Sequence, residues 1–125
     1  MILLDTSAWV EVFRGTALGK KIKSIIYDKV LFTSVLSIAE ISKWCSENSL
    51  DDSKFLDIIE ENSNLIALKR EALISGGKLC ANLKKKIHNF DLIDACIYTS
   101  ARIYGAGILT TDHYFELLEG AQIIS

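Results

Sequence analysis

Residues 94–115 read D-A-C-I-Y-T-S-A-R-I-Y-G-A-G-I-L-T-T-D-H-Y-F and contain a helix, a turn and a strand in one run. The pattern predicts a helix over residues 91–104, because acidic residues lie at its start and Gly105 follows its end. Gly107–Thr110 is a short apolar run typical of a buried strand, and Asp112 follows it. A helix that leads through a tight turn into a buried strand is part of the strand–helix–strand unit that repeats in α/β folds. The stretch therefore favours an α/β fold.

The rest of the chain repeats this alternation in both directions from the quoted stretch. Further predicted strands cover residues 1–4, 30–33, 65–68 and 121–124. Predicted helices cover residues 7–13, 18–27, 51–61 and 71–85, with another that begins at Ser34 or Ser37 and a short one that ends at Leu118. Short apolar strands that alternate with helices indicate a parallel sheet covered by helices on both faces.

Length and composition predict one folded domain over residues 1–125. Half of the residues are apolar and 24% are charged, which is typical of a globular core. Three cysteines (Cys45, Cys80 and Cys96) fall in no paired spacing, which argues against a disulfide framework or a zinc site. No apolar run approaches the roughly 18 residues of a membrane span, and no targeting segment is visible. We therefore expect no membrane partner and a cytoplasmic location. A net charge of −2 is not that of a protein held to nucleic acid by bulk charge.

Acidic residues lie where a parallel sheet would bind a ligand. Asp5 and Asp112 each follow an apolar strand, and Glu40 lies near the start of the helix after the second strand. Ligands bind at the carboxyl edge of such sheets, near the point where the strand order reverses. This rule alone does not predict that Asp94 lies at the same edge. Each acid also has a simpler interpretation: the aspartates as helix caps or favourable charges at a helix N-terminus, and Glu40 as a surface residue.

A cluster of carboxylates would have a chemical purpose. Carboxylates that lie close together raise each other's pKa, so a cluster persists when a cation neutralises it. Oxygen ligands without histidine or cysteine favour Mg²⁺ or Mn²⁺ over zinc. Two such ions about 3.5–4 Å apart can hold the attacking and leaving oxygens of a phosphodiester. The protein would then need no nucleophile of its own.

Three segments resemble the PIN-domain family, and most closely the VapC-type toxins of prokaryotic toxin–antitoxin pairs. They are Leu4-Asp5-Thr6-Ser7, Ala39-Glu40-Ile41 and the stretch 94–115 quoted above. The resemblance implies a three-layer α/β sandwich with a five-stranded parallel sheet. It further implies an endoribonuclease that depends on Mg²⁺ or Mn²⁺, homodimers, an RNA substrate and a small antitoxin partner. We expect the antitoxin to cover apolar surface around Trp9 and Trp44.

Carried over position by position, the resemblance assigns an acidic quartet as catalytic residues and metal ligands: Asp5, Glu40, Asp94 and Asp112. Ser7 and Thr110 match hydroxyl positions that line the site. Asp91 lies one helical turn before Asp94 and is an alternative ligand, although the spacing to Gly105 and Asp112 favours Asp94.

Several other residues are weaker candidates for substrate contact. Arg14 matches the family's basic residue on the first helix, and His113 adjoins Asp112. Lys84, Lys85 and Lys86 form either a solvated helix end or a patch for RNA phosphates. His88 is interpreted as structural or exposed.

Three rival interpretations stay open. A PIN-domain nuclease of RNA processing, without a toxin role, cannot be separated by sequence. A catalytically inactive PIN-shaped binding module is disfavoured by the intact quartet. A phosphatase or phospho-receiver would need a lysine on a later strand, and none follows the fourth predicted strand.

Overall fold

The computed structural model describes residues 1–87 and 90–125, and His88 lies outside the described residues. Across these described residues, five strands form one sheet. Their bounds are β1 Ile2–Leu4, β2 Leu31–Ser34, β3 Asn64–Ile66, β4 Gly107–Thr110 and β5 Ala121–Ile123. Every strand pair is parallel, and the order across the sheet is β3-β2-β1-β4-β5. The predicted parallel sheet is therefore confirmed.

Six helices connect these strands. Their bounds are α1 Thr6–Arg14, α2 Ala17–Ile26, α3 Val35–Glu47, α4 Asp52–Asn62, α5 Arg70–Leu83 and α6 Leu92–Ile103. Ser34 caps α3 by accepting a hydrogen bond from the Leu36 amide, which decides between the two predicted caps. In the described part of the chain, no helix combines the length and the apolar character needed to cross a bilayer.

The short helix predicted to end at Leu118 is present but ends three residues earlier. The structure has a 3-10 helix over His113–Phe115. The Phe115 amide donates to the Asp112 carbonyl, and the Leu118 amide donates to the Phe115 carbonyl. These bonds span three residues each, so the chain follows successive tight turns and does not form an α-helix.

Two apolar clusters, one on each face of the sheet, make this a three-layer sandwich. Leu3 and Ile108 belong to the cluster under α5 and α6, whereas Leu4 and Leu109 belong to the cluster that contains residues of α1 to α4. Successive residues of a strand point to opposite faces, so each short apolar strand supplies both clusters.

The expectations for the tryptophans and the cysteines have clear outcomes. Trp9 is 2% exposed, and its Nε1 donates to the Thr33 hydroxyl at 3.1 Å, so it belongs to the core. The Trp9 side chain therefore contributes little exposed surface itself, although it lines a groove with Val12, Ile26 and Leu31. Trp44 is half-buried. Cys45, Cys80 and Cys96 are buried free thiols, as their spacing predicted.

Candidate active site

Asp5 is fixed at the end of β1 by the neighbouring strand. Its amide donates to the Leu109 carbonyl of β4 at 3.0 Å. Its carboxylate Oδ2 accepts hydrogen bonds from Thr110 Oγ1 at 2.8 Å and from Ser7 Oγ at 3.0 Å. The side chain is 3% exposed and makes no capping hydrogen bond to α1, which it precedes. The simpler interpretation of Asp5 as a helix cap is therefore not supported by the geometry.

Two hydroxyls join Asp5 to the loop that carries Asp112. Ser7 Oγ and Thr110 Oγ1 lie 3.1 Å apart. Ser7 accepts from the Thr111 amide at 3.1 Å, and Thr110 accepts from the Asp112 amide at 3.0 Å. The structure thus places both hydroxyls beside Asp5.

Asp112 and Asp91 both act as helix caps. Asp112 Oδ1 accepts from the Tyr114 amide at 2.9 Å, and Asp91 Oδ1 accepts from the Asp94 amide at 2.8 Å. Asp94 itself lies in the first turn of α6 and is half-buried. In the described part of the chain, no hydrogen-bond donor contacts the Asp94 carboxylate. Asp91 therefore supports the helix start, and among the contacts of the described residues Asp94 is the member of the quartet whose carboxylate accepts no hydrogen bond.

Glu40 reaches the site from α3. Its Oε1 accepts a hydrogen bond from Thr6 Oγ1 at 2.7 Å, and Thr6 immediately follows Asp5 in the chain. Thr6 Oγ1 also lies 2.8 Å from Ser37 Oγ. Sequence reasoning did not assign Thr6 or Ser37 a role in the site. The available signal was weak: Ser37 precedes Glu40 by three residues, which places both on one face of a helix.

The electrostatics show that the four predicted acids share one site. Burial raises the pKa of Asp94, and the charges of Asp5, Asp91, Glu40 and Asp112 raise it further, to about 8. Burial also raises the pKa of Asp5, to which the charge of Asp112 contributes. Three members of the quartet thus act on Asp94, so the structure brings the quartet together.

Glu40 belongs to the same electrostatic group. Burial raises its pKa, and so do the charges of Asp5 and Asp91, while the hydrogen bond from Thr6 and the charge of Lys43 lower it. Within the described residues, no salt bridge involves any member of the quartet. The site therefore concentrates negative charge, with no ion pair to a cation in the described part of the chain.

The chemistry of this donor set fits a hard divalent cation, since carboxylate oxygens are the ligands that Mg²⁺ and Mn²⁺ prefer. The geometry is not that of a finished ligand set. Across residues 1–87 and 90–125, no three histidine, cysteine or acidic side chains converge closely enough to hold a metal ion. The carboxylates repel one another, and Asp5 and Asp112 accept hydrogen bonds from other groups. A bound cation would therefore have to bring the carboxylates closer together.

The weaker candidates lie away from the carboxylates or point elsewhere. Arg14 ends the nine-residue α1, roughly 13 Å along the helix axis from Asp5, and pairs with Glu11 at 3.3 Å. His113 is exposed and lies 2.7 Å from Glu116 Oε1 through its Nδ1. Lys84, Lys85 and Lys86 form an exposed turn after α5. None of the hydrogen bonds among the described residues links these side chains to the quartet.

A family model and several solved structures match this chain. The PIN-domain profile matches residues 2–120. No curated protein sequence matches the chain. A toxin–antitoxin complex from Klebsiella pneumoniae contains a chain with a TM-score of 0.78 and 16% identity, over 98% of this chain and 96% of that chain.

Two further solved structures are similar over nearly their whole length. VapC20 of Mycobacterium tuberculosis, a toxin that cleaves the sarcin–ricin loop, has a TM-score of 0.77 and 16% identity over 95% of each chain. VapBC2 of Rickettsia felis, bound to a promoter DNA fragment, has a TM-score of 0.76 and 17% identity over 100% of each chain. At these identities the likeness shows the fold, so the predicted PIN-like sandwich is confirmed.

Proposed function

This chain belongs to the PIN-domain family, and from that premise we propose that it is a metal-dependent endoribonuclease that serves as the toxin of a type II toxin–antitoxin pair. Its catalytic residues are Asp5, Glu40, Asp94 and Asp112, on one domain that spans residues 1–125. The observation that carries this proposal is the position of Asp5 and Asp112 beyond the carboxyl ends of β1 and β4, with the Asp5 carboxylate buried and held by Ser7 and Thr110. Burial among other carboxylates also raises the pKa of Asp94 to about 8, and strongly shifted pKa values are characteristic of functional sites.

The quartet would hold one or two Mg²⁺ or Mn²⁺ ions. A divalent cation bound there would supply the Lewis acidity that activates water and neutralises charge on a phosphodiester. Ser7 and Thr110 hold the Asp5 carboxylate in place, and Thr110 also holds the backbone of Asp112. Asp94 carries no competing hydrogen bond in the described part of the chain, so its oxygens are available to a cation.

RNA is the substrate we propose, since a structural neighbour is a toxin that cleaves the sarcin–ricin loop. The site itself repels phosphates unless a cation is present, because its carboxylates carry no ion pair among the described residues. Lys84, Lys85, Lys86, His113 and Arg14 remain proposed contacts for the RNA backbone outside the acidic site, where cations attract phosphates.

The proposed partner is a small antitoxin, because several structural neighbours are toxin–antitoxin complexes. A groove of about 550 Å³ between α1, α3 and α4 offers it apolar surface. The groove is lined by Phe13, Arg14, Trp44, Asn48, Leu50 and Phe55. Phe13 and Phe55 have ring centroids 4.6 Å apart, which gives a rigid aromatic floor. We also propose that the free toxin is a homodimer, which light scattering on the purified protein tests.

RNA cleavage under controlled metal content tests the nuclease proposal. Purified protein is incubated with total RNA in Mg²⁺, in Mn²⁺ and in excess chelator. We expect cleavage with either metal and its loss with chelator. Asp94→Asn should abolish cleavage, whereas Asp57→Asn, an exposed aspartate on α4, should leave it unchanged. Undiminished cleavage in chelator would overturn the metal dependence.

Expression in cells tests the toxin role separately. Growth arrest on expression, relieved by a small protein encoded beside this chain, supports the toxin assignment. A chain that cleaves RNA in vitro but neither arrests growth nor binds such a partner would remain a nuclease, and the toxin assignment would fall.

A further inference from the structure

The Thr6 side chain connects two members of the quartet that lie on different elements. Thr6 follows Asp5 directly, and its Oγ1 lies 2.7 Å from Glu40 Oε1 on α3. The same Oγ1 lies 2.8 Å from Ser37 Oγ. Ser37 is fully buried, whereas Thr6 is half-buried at the edge of the site. We call Ser37, Thr6 and Glu40 the hydroxyl chain.

Proton counting gives the hydroxyl chain a direction. A threonine hydroxyl has one proton to donate and can accept two hydrogen bonds, whereas an ionised carboxylate only accepts. When Glu40 is ionised, Thr6 must therefore donate to Glu40. Ser37 Oγ, at 2.8 Å, is the second acceptor within reach of the Thr6 proton. An ionised carboxylate is the stronger acceptor of the two, so the threonine proton points at the glutamate.

We propose that Thr6 is a positioning residue that holds the Glu40 carboxylate in the site; this inference rests on the proposed function. Within the described residues, Thr6 is the hydrogen-bond donor that contacts the Glu40 side chain. A charge-assisted bond of this kind is stronger than a neutral one.

Lys43 makes the positioning necessary. It lies three residues after Glu40 on α3, is exposed, and attracts the Glu40 charge. Side chains three apart on a helix can pair at its surface. Without the Thr6 donor, the Glu40 carboxylate is repelled by Asp5 and Asp91 and attracted by Lys43. It should therefore turn out of the site.

A matched pair of variants tests this inference. Thr6→Val removes the hydroxyl and keeps the side-chain shape, whereas Thr6→Ser keeps the hydroxyl and removes a methyl group. Mn²⁺ affinity is measured by electron paramagnetic resonance of the free ion. We expect Thr6→Val to weaken binding roughly 10-fold or more, as loss of such supporting contacts does in other metal sites. Thr6→Ser should bind like the parent. Equal losses in both variants would overturn the inference.

A double-mutant cycle identifies the residue through which Thr6 acts. Glu40→Gln alone should weaken Mn²⁺ binding, and adding Thr6→Val to Glu40→Gln should cause little further loss, because coupled residues are not additive. Independent, additive losses would show that Thr6 does not act through Glu40 and would overturn the inference.

Crystal structures of the metal-free variants separate this inference from the proposed function. In Thr6→Ser the Glu40 carboxylate should stay within hydrogen-bond distance of residue 6, and in Thr6→Val it should turn towards Lys43. An unmoved Glu40 in Thr6→Val would overturn the positioning role. A parent that neither binds Mn²⁺ nor cleaves RNA would instead overturn the proposed function, and the two structures would still decide on Thr6.

Discussion

At the scale of single residues, the surroundings of Asp94 make the fold sensitive to pH. Its pKa of about 8 in the folded chain exceeds the ordinary value of 3.8. Between these pH values the folded state keeps a proton that the unfolded state has released. Stability from this group is therefore present below about pH 4 and is lost as pH rises towards 8. Asp5 and Glu40, whose pKa values burial also raises, act in the same direction.

The first prediction follows from this sign. In chelator, the parent should unfold at lower urea concentration at pH 8.5 than at pH 5.5. Asp94→Asn should remove much of the difference and stabilise the chain at pH 8.5 by roughly 1–3 kcal/mol, after solvent screening of a half-buried charge. The exposed control Asp57→Asn should keep the slope of the parent. Identical slopes for the parent and Asp94→Asn would show that the Asp94 charge is well solvated.

The second prediction concerns Asp5, whose carboxylate is buried and bound by two hydroxyls. Asp5→Asn should fold at least as stably as the parent, because an amide oxygen can still accept from Ser7 and Thr110 and one repulsive charge is gone. We expect it to lose most Mg²⁺-dependent cleavage. Its melting temperature should also rise less on addition of Mg²⁺, since stabilisation by a ligand follows its affinity. Parent-like cleavage by a folded Asp5→Asn would remove Asp5 from the catalytic residues.

At the scale of elements, the sequence predicted those helices and strands whose ends are set by neighbouring residues in the chain. The run from α6 through Gly105 into β4 was predictable because the helix stop and the apolar strand are neighbours in sequence. The bounds of β3 were less predictable. The expected strand 65–68 begins one residue and ends two residues later than the observed strand, because only Ile66 of this edge strand is buried. Asp94 was assigned to the quartet through the family resemblance. It lies on α6, before β4, and the expectation that residues after a strand meet at the carboxyl edge of the sheet does not identify it.

The hydroxyl chain shows the other limit of sequence reasoning. Thr6 and Glu40 are 34 residues apart in the chain, and their contact depends on how α3 packs beside α1. A threonine beside an aspartate and a serine before a glutamate are common patterns with no fixed meaning. Only the packing of the two helices gives these residues a shared role.

The third prediction tests how closely α5 and α6 pack. A Cβ on Gly76 would lie 2.8 Å from Cys96 Sγ and 3.0 Å from Cys96 Cα, whereas a Cβ on the neighbouring Gly77 would meet nothing within 4 Å. Gly76→Ala should therefore lower the free energy of unfolding by about 1–3 kcal/mol through overpacking. Gly77→Ala should raise it by roughly 0.5–1 kcal/mol through helix propensity. Chemical denaturation of both variants checks this, and equal effects would contradict the tight crossing.

At the scale of the whole molecule, strand order explains why the acids meet. The chain builds β1, β2 and β3 towards one edge and then places β4 and β5 on the other side of β1. The order therefore reverses between β1 and β4, whose carboxyl ends lead into Asp5 and Asp112. Such a point is where open parallel sheets bind ligands. Helices α3 and α6 then contribute Glu40 and Asp94 to the same edge. The four acids come from four separate segments of the sequence.

The last prediction concerns the groove between α1, α3 and α4, at which we propose that the antitoxin docks. Leu50 lines this groove and Leu73 lies on α5, outside it, yet both are 42% exposed. Leu50→Ser should therefore weaken binding of the small protein encoded beside this chain, whereas Leu73→Ser should not. We expect roughly a 5–10-fold rise in Kd for Leu50→Ser, since burying part of a leucine side chain contributes about 1 kcal/mol.

Two controls make this comparison decisive. RNA cleavage by free Leu50→Ser should match that of the parent, because Leu50 lies between α3 and α4 in the groove and is not one of the residues whose hydroxyls hold the quartet. Melting temperatures should fall by similar small amounts in both variants, because the two side chains are equally exposed. Calorimetric titration of the partner then separates docking from folding. If both variants bind like the parent, or if Leu73→Ser is the weaker binder, the partner occupies a different face of the molecule.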